Sequence, residues 1–238
     1  MKERTSQGLL AIWADIDDDY LPEFEKWHNC EHVMERINIP GFNLGCRYRN
    51  ASNSPQFFMF YELDDASVSQ SKAYLDRLNH LTPWTKEALT HFKNSTRAVY
   101  KLIYSLGTIH STGTPNLYAL KFNLNPGEEA DALDQMLHQM LPAIMDVAEV
   151  LRIRLFISDE TSTKAAPETL TNLSPSAAHH KYLILCDLKS LHLPTRDFGS
   201  TIQLSAYTIF RNANFANFKE EVYWLEFMMS ATQSVKHL

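Results

Sequence analysis

GLLAIWADI at residues 8–16, the aspartates Asp17, Asp18 and Asp19, and YLPEFEKWHNCEHVMERI at residues 20–37 together decide the fold. The first stretch alternates as a strand does, with Leu10, Ile12, Ala14 and Ile16 on one face and Leu9, Ala11, Trp13 and Asp15 on the other. The aspartates supply an N-cap and favourable charge for a helix that tolerates Pro22 in its first turn. That helix is expected to run to about Ile37 and to stop before Pro40-Gly41. Working outward, strands follow at 42–49 and 56–63, joined by an Asn/Ser/Pro-rich turn. A second amphipathic helix covers 67–80, Thr82-Pro83-Trp84-Thr85 starts another helical turn, and 96–106 returns as a strand. The order is βαββαβ, a ferredoxin-like unit.

Beyond residue 112 the order repeats in weaker form. Strands are expected at 116–124, 150–158, 181–188 and 202–211. Helices are expected from Gly127 to about Val147, near 195–200 and from about 215 to the end, and 160–179 reads as a long surface loop. The repeat of about 110 residues indicates duplication of a whole unit. We therefore divide the chain into a first unit, residues 1–112, and a second, degenerate unit, residues 113–238. A four-stranded sheet with helices on one face leaves the other uncovered. Two such sheets closing face to face bury both, so the fold class is α+β, with tandem ferredoxin-like units packed as a barrel within one chain.

The net charge of -6 offers no basic field for nucleic acid or anionic membrane. The N-terminal apolar run is interrupted by Asp15, so no signal peptide is expected, and no stretch approaches the roughly 20 apolar residues of a membrane span. Cys30, Cys46 and Cys186 then read as reduced thiols of a cytoplasmic protein.

The densest chemistry is Trp27-His28-Asn29-Cys30-Glu31-His32. At 100° per residue, Tyr20, Phe24, Trp27 and Met34 form an apolar stripe with Glu31 in its middle and His28 and His32 at its edge. A carboxylate there must find a partner or take up a proton. It is either a general acid or base, or half of an ion pair with Arg36, Arg47 or Arg49. The same five residues fit the H-x-x-E-H pattern of inverted zinc peptidases, but no third ligand follows and the βαββαβ order is wrong for one, so no metal is assigned. Trp13 and Asp15 should point into the barrel. Arg47, opposite in phase to Phe42, Leu44, Cys46 and Tyr48, should point inward too and could meet Asp15 or an anionic group, with Tyr61 adding aromatic wall. No nucleotide-binding loop, serine-hydrolase elbow or CxxC pair occurs.

Trp27-His-Asn-Cys-Glu-His32, then Ile39-Pro-Gly-Phe42, then Arg47-Tyr48 resembles the EthD-like, dimeric α/β-barrel proteins of bacteria. Phe60-Tyr-Glu62, Ser71-Lys-Ala-Tyr74 and Thr82-Pro-Trp-Thr85 extend the similarity, which is specific mainly over residues 8–106. The resemblance implies a hydrophobic pocket for a small organic molecule with His32 at its polar end. In the second unit the corresponding helix reads Leu133-Asp-Gln-Met-Leu-His-Gln-Met140, so one site per chain is expected. The expected function is a cofactor-free enzyme acting by acid/base chemistry on an aromatic or alicyclic metabolite. His32, Glu31 and His28 are the catalytic candidates, and Trp13, Asp15, Trp27, Arg47 and Tyr61 the binding ones. A non-catalytic binding protein and a haem protein ligated by His32 or His28 are the alternatives. A monomer and a homodimer are both compatible with an internally closed barrel.

Overall fold

The computed structural model describes residues 6–50, 54–108, 114–146, 149–164, 180–189 and 215–231. The described residues form eight strands, with helices after β1, β3, β5 and β6: β1 Gly8–Ile16, β2 Phe42–Asn50, β3 Phe57–Leu63, β4 Phe92–Gly107, β5 Asn116–Leu124, β6 Val150–Ser158, β7 Tyr182–Leu188 and β8 Phe215–Ser230. They form a closed barrel in the order β1-β3-β2-β8-β5-β7-β6-β4, with every neighbouring pair antiparallel. Two ferredoxin-like sheets, β4-β1-β3-β2 and β8-β5-β7-β6, are thus joined edge to edge.

The two 16-residue strands make the joints. β4 pairs with β1 from Phe92 to Lys101 and with β6 from Tyr100 to Gly107. β8 does the same for the other seam, pairing with β5 from Phe215 to Trp224 and with β2 from Tyr223 to Ser230. Closure leaves no open sheet edge to recruit another strand. It also corrects the expectation of a terminal helix from about 215. The spacing of Phe218, Val222, Leu225 and Met229 suits a helix, but β2 and β5 would be left with unpaired backbone without this strand. The expected short helix near 195–200 and strand 202–211 lie outside the described residues. The expected loop at 160–179 begins instead with the helical turn Glu160–Lys164, and its later residues lie outside those described.

The barrel lumen is filled. Leu9, Ala11, Trp13, Tyr48, Phe58, Phe60, Tyr100 and residues from all four strands of the second sheet pack there. An ion network sits towards each end. At one, Lys121 Nζ lies 2.9 Å from Glu221 and 4.4 Å from the Trp13 ring centroid. At the other, Arg154 bridges Glu62 at 2.6 Å and Asp187 at 3.2 Å. Chemistry must therefore be sought outside the lumen, where helices cover the sheets. Residues 21–37 and the helices Lys72–Asn79 and Pro83–Thr90 flank the first sheet, and residues 129–145 cover the second.

A bulge in β2 reverses one expected facing. Phe42 pairs with Leu63 and Leu44 with Glu62, so Asn43 is an extra residue and the alternation slips by one. Phe42 packs under the helices, whereas Cys46 and Tyr48 face the lumen. Arg47 consequently points outward to the helix side and cannot meet Asp15.

Candidate functional site

The first helix is not uniform. Leu21–Trp27 and Val33–Ile37 are α-helical, but His28–His32 form a π turn, in which the Val33 N–H donates to the His28 carbonyl. A π turn advances the side chains by less than 100° per residue, so the apolar stripe loses its phase there. Met34, expected on that stripe, is 45% exposed, while His28 is only 1% exposed. Gly41, with φ of 91°, makes the left-handed turn after the helix that a side chain would resist. Gly45 lets the helix approach β2, since a Cβ there would lie 2.8 Å from Val33 and 2.9 Å from the Tyr61 ring.

Glu31 turns towards the neighbouring helix. Its carboxylate accepts hydrogen bonds from Thr82 Oγ1 at 2.6 Å and Thr85 Oγ1 at 3.1 Å. Thr82 caps the helix Pro83–Thr90 by accepting from the Thr85 N–H, and Thr85 Oγ1 accepts from Trp27 Nε1 at 3.1 Å. The helix N-terminus adds a favourable field for the negative charge. Glu31 thus joins two helices and pairs with none of Arg36, Arg47 and Arg49. That corrects its expected position in the stripe, and of the two alternatives for its carboxylate the ion pair with Arg36, Arg47 or Arg49 does not form.

Between these helices and the outer face of β1, β3 and β4 lies a cavity of about 50 Å³, several times what one water needs. Leu10, Ile12, Met59 and Leu78 contribute apolar wall, and Trp27, Tyr61 and Tyr74 aromatic wall. His28 and His32 both line it, with ring centroids 5.8 Å apart, and the Trp27 ring lies 4.4 Å from His32. Arg36, one helical turn beyond His32, and Arg97, on β4, complete the polar side.

Five polar atoms of this wall are buried without a hydrogen-bond partner among the described residues: His28 Nδ1, His32 Nδ1, Tyr61 Oη, Arg36 Nη1 and Arg97 Nε. Native interiors leave few such groups, so a cluster of them marks a place built for something else. Burial holds both imidazoles well below the ordinary histidine range, helped by the charge of Arg47 at His28 and of Arg36 at His32. Burial likewise raises the Tyr61 hydroxyl well above the ordinary tyrosine range. At neutral pH the cavity therefore presents two neutral imidazoles and a protonated phenol.

Of the residues singled out in the sequence, His28, His32, Trp27 and Tyr61 meet in this cavity, and Glu31 touches it only through Thr85. Trp13 stacks on Phe58 in the lumen, on the far side of the sheet. Asp15 ties down the β2–β3 connection, accepting from the Gln56 N–H at 2.6 Å and from Asn94 at 2.9 Å. Arg47 is held by Glu226 at 3.0 Å and by Asn29 at 2.8 Å, outside the cavity wall. None of the three is part of the cavity wall. Sequence reasoning did not select Arg36 or Arg97 for the site. The i,i+4 spacing from His32 could have pointed to Arg36, whereas no local signal points to Arg97. Among the described residues, no three His, Cys, Asp or Glu side chains converge as a metal site would require. No helix among them is long and apolar enough to cross a membrane.

No protein-family model matches this sequence, and no curated protein matches it. Solved structures do share the fold. A Fusobacterium nucleatum protein assigned as a monooxygenase superposes with a TM-score of 0.56 at 8% identity, covering 94% of this chain and 95% of that one. An anthrone oxidase-like protein gives 0.57 at 10% identity, covering 98% and 97%. A Lactobacillus acidophilus protein, also assigned as a monooxygenase, gives 0.56 at 5% identity, covering 94% and 97%. At such identities the likeness is one of architecture, a ferredoxin-like barrel over the whole chain.

Proposed function

We propose that this protein is an enzyme that uses its own side chains as acid and base on a small hydrophobic, aromatic or alicyclic molecule bound between helix and sheet. The observation that carries this reading is the pair of imidazoles, His28 buried and His32 half-buried, held neutral with buried Nδ1 atoms that have no partner among the described residues, facing an apolar cavity beside a phenol equally without one. A neutral imidazole can take a proton from a C–H or O–H acid, and exclusion of water strengthens each polar contact made there. His32, packed against Trp27, is the proposed base. Tyr61, kept protonated, is placed to donate to the oxyanion that forms as the proton leaves, and His28 is the second acid/base group. Glu31 serves as a positioning residue, holding Trp27 and the neighbouring helix through Thr85. The activities assigned to proteins of the same architecture, a monooxygenase and an anthrone oxidase-like protein, suit a site that handles apolar ring compounds. The residue pattern from Trp27 to Tyr48 supports an EthD-like placement within that architecture.

The test is deuterium uptake by a carbon acid. 2-Indanone incubated with the protein in D2O should exchange its α-hydrogens faster than in buffer, as followed by proton NMR. His32→Ala should lose that acceleration and keep the melting temperature of the parent. Binding of 2-indanone with no acceleration in the parent protein would favour a non-catalytic carrier. Loss of folding in His32→Ala would make the histidine structural.

A further inference from the structure

Four arginines are buried among the described residues: Arg36, Arg47, Arg97 and Arg154. Two are neutralised, Arg47 by Glu226 and Arg154 by Glu62 and Asp187. Arg36 and Arg97 are not. Arg36 is 3% exposed, forms no ion pair or hydrogen bond with a described residue, and rests its guanidinium over the Tyr74 ring at 5.6 Å. Arg97 is 4% exposed, donates once from Nη1 to the Thr163 carbonyl at 3.4 Å, and leaves Nε unpartnered. Both line the histidine cavity, whose wall contains no carboxylate. An unpaired guanidinium in a dry site is costly, and a chain with net charge -6 has no shortage of carboxylates that could have relieved it.

The sheet register places Arg97 and Tyr61, and the first helix places Arg36, around one cavity. Arg97 on β4 is the partner of Ile12 on β1, and Tyr61 on β3, whose hydroxyl feels the Arg36 charge, is the partner of Leu10. The anchor points of Arg97 and Tyr61 are thus two strand spacings and two residues apart, roughly 12 Å across the outer face of the sheet. Arg36 reaches the same cavity from the helix above, and the two long side chains can converge on one anion. Planar, fixed N–H forks suit a carboxylate, which can accept from both arginines and from Tyr61 Oη.

We infer that the ligand of this cavity carries a carboxylate on a small apolar body, bound by Arg36 and Arg97 at the end beside His32 and Tyr61. The inference rests on the acid/base reading for the identity of the cavity, but not on turnover. The carboxylate anchors the molecule, while the neutral histidines face the rest of it.

Binding measured by calorimetry separates the two. Formate, acetate and benzoate, titrated against the full chain beside formamide, acetamide and benzamide, should show carboxylates binding at least tenfold more tightly than the matching amides. Arg36→Met and Arg97→Met should each lose tenfold or more of benzoate affinity, and Arg36→Lys less. Without ligand, Arg36→Met should melt no lower than the parent, since it removes an uncompensated charge. Equal binding of benzoate and benzamide, no carboxylate binding at tens of millimolar, or undiminished benzoate affinity in both Met variants would each overturn the proposal. Should Arg36→Met fail to fold, Arg97→Met and Arg36→Lys still decide it. Carboxylate binding without proton exchange on any carbon acid would sink the acid/base reading alone. Exchange on neutral ketones that is indifferent to both arginines would sink the carboxylate site alone.

Discussion

The helices over the two sheets carry the same irregularity in the same place, and only one of them lines a cavity with histidines. His28–His32 and Met136–Met140 are both π turns, each as far into its unit as Gly8 and Asn116 are at the starts of β1 and β5. At the equivalent positions His28 and His32 become Met136 and Met140, and Arg36 becomes Ile144, all three buried in the core of the second half. The register carries the comparison across the sheet, where Leu10 opposite Tyr61 in the first half becomes Tyr118 opposite Cys186 in the second. A π turn widens the helix and leaves space beneath it. Flexible thioethers pack that kind of space, whereas imidazoles and a guanidinium line it with polar atoms. The backbone device is shared, and the side chains decide whether it becomes core or site.

Exchanging residues across this comparison gives the largest expected effect. His32→Met, which copies the second half, should reduce proton exchange on 2-indanone by roughly 10²–10⁴-fold, the usual contribution of a positioned acid or base. Its urea midpoint should not fall. A fall in stability equal to the loss of rate would mean that the histidine holds the fold. The reverse exchange, Met140→His, places an imidazole in the apolar core of the second half. It should cost about 2–4 kcal/mol in urea unfolding and create no second site, and a neutral outcome would show that the second half tolerates the polar group.

Smaller effects probe how the first half keeps its geometry. Thr85→Val removes the hydroxyl shared by Trp27 and Glu31 and should cost about 1–3 kcal/mol, with a change in Trp fluorescence reporting the loosened helix. pH gives the gentlest contrast. His28 and His32 are depressed in the folded chain relative to the unfolded one, so below about pH 6.5 the unfolded state binds more protons and stability falls as pH falls. Each imidazole adds at most about 1.4 kcal/mol per pH unit. The slope between pH 6.5 and 5 should disappear in the doubly substituted His28→Met/His32→Met protein, and its persistence there would assign it to other groups.

Much of this was visible in local patterns. The alternation of Leu9 to Ile16, the Pro40-Gly41 stop and the repeat of element order led to two ferredoxin-like sheets, and the placement of Trp13 in the lumen followed from a regular strand. The errors have one kind of cause, a local irregularity or a distant partner. One extra residue at Asn43 turned Arg47 outward, and one π turn rotated Glu31 away from the stripe and exposed Met34. Residues 215–230 look helical in isolation and are a strand because β2 and β5 both require a neighbour. Arg36 and Arg97 could not be joined by inspection. What distinguishes them from Arg47 and Arg154 is that no carboxylate among the described residues pairs with them, and that depends on residues far away in the chain.

Short-range sterics and hydrophobic periodicity, which each segment carries within itself, were enough to specify the strand and helix order of the first unit, the two ferredoxin-like sheets and the richness of the first helix in acid/base groups. Position in space decided the rest: which face each side chain presents, which charges are neutralised, and which histidines lose water. Those depend on register and packing between segments, where a shift of one residue reverses a facing and a carboxylate from a distant segment decides whether a buried arginine is neutralised.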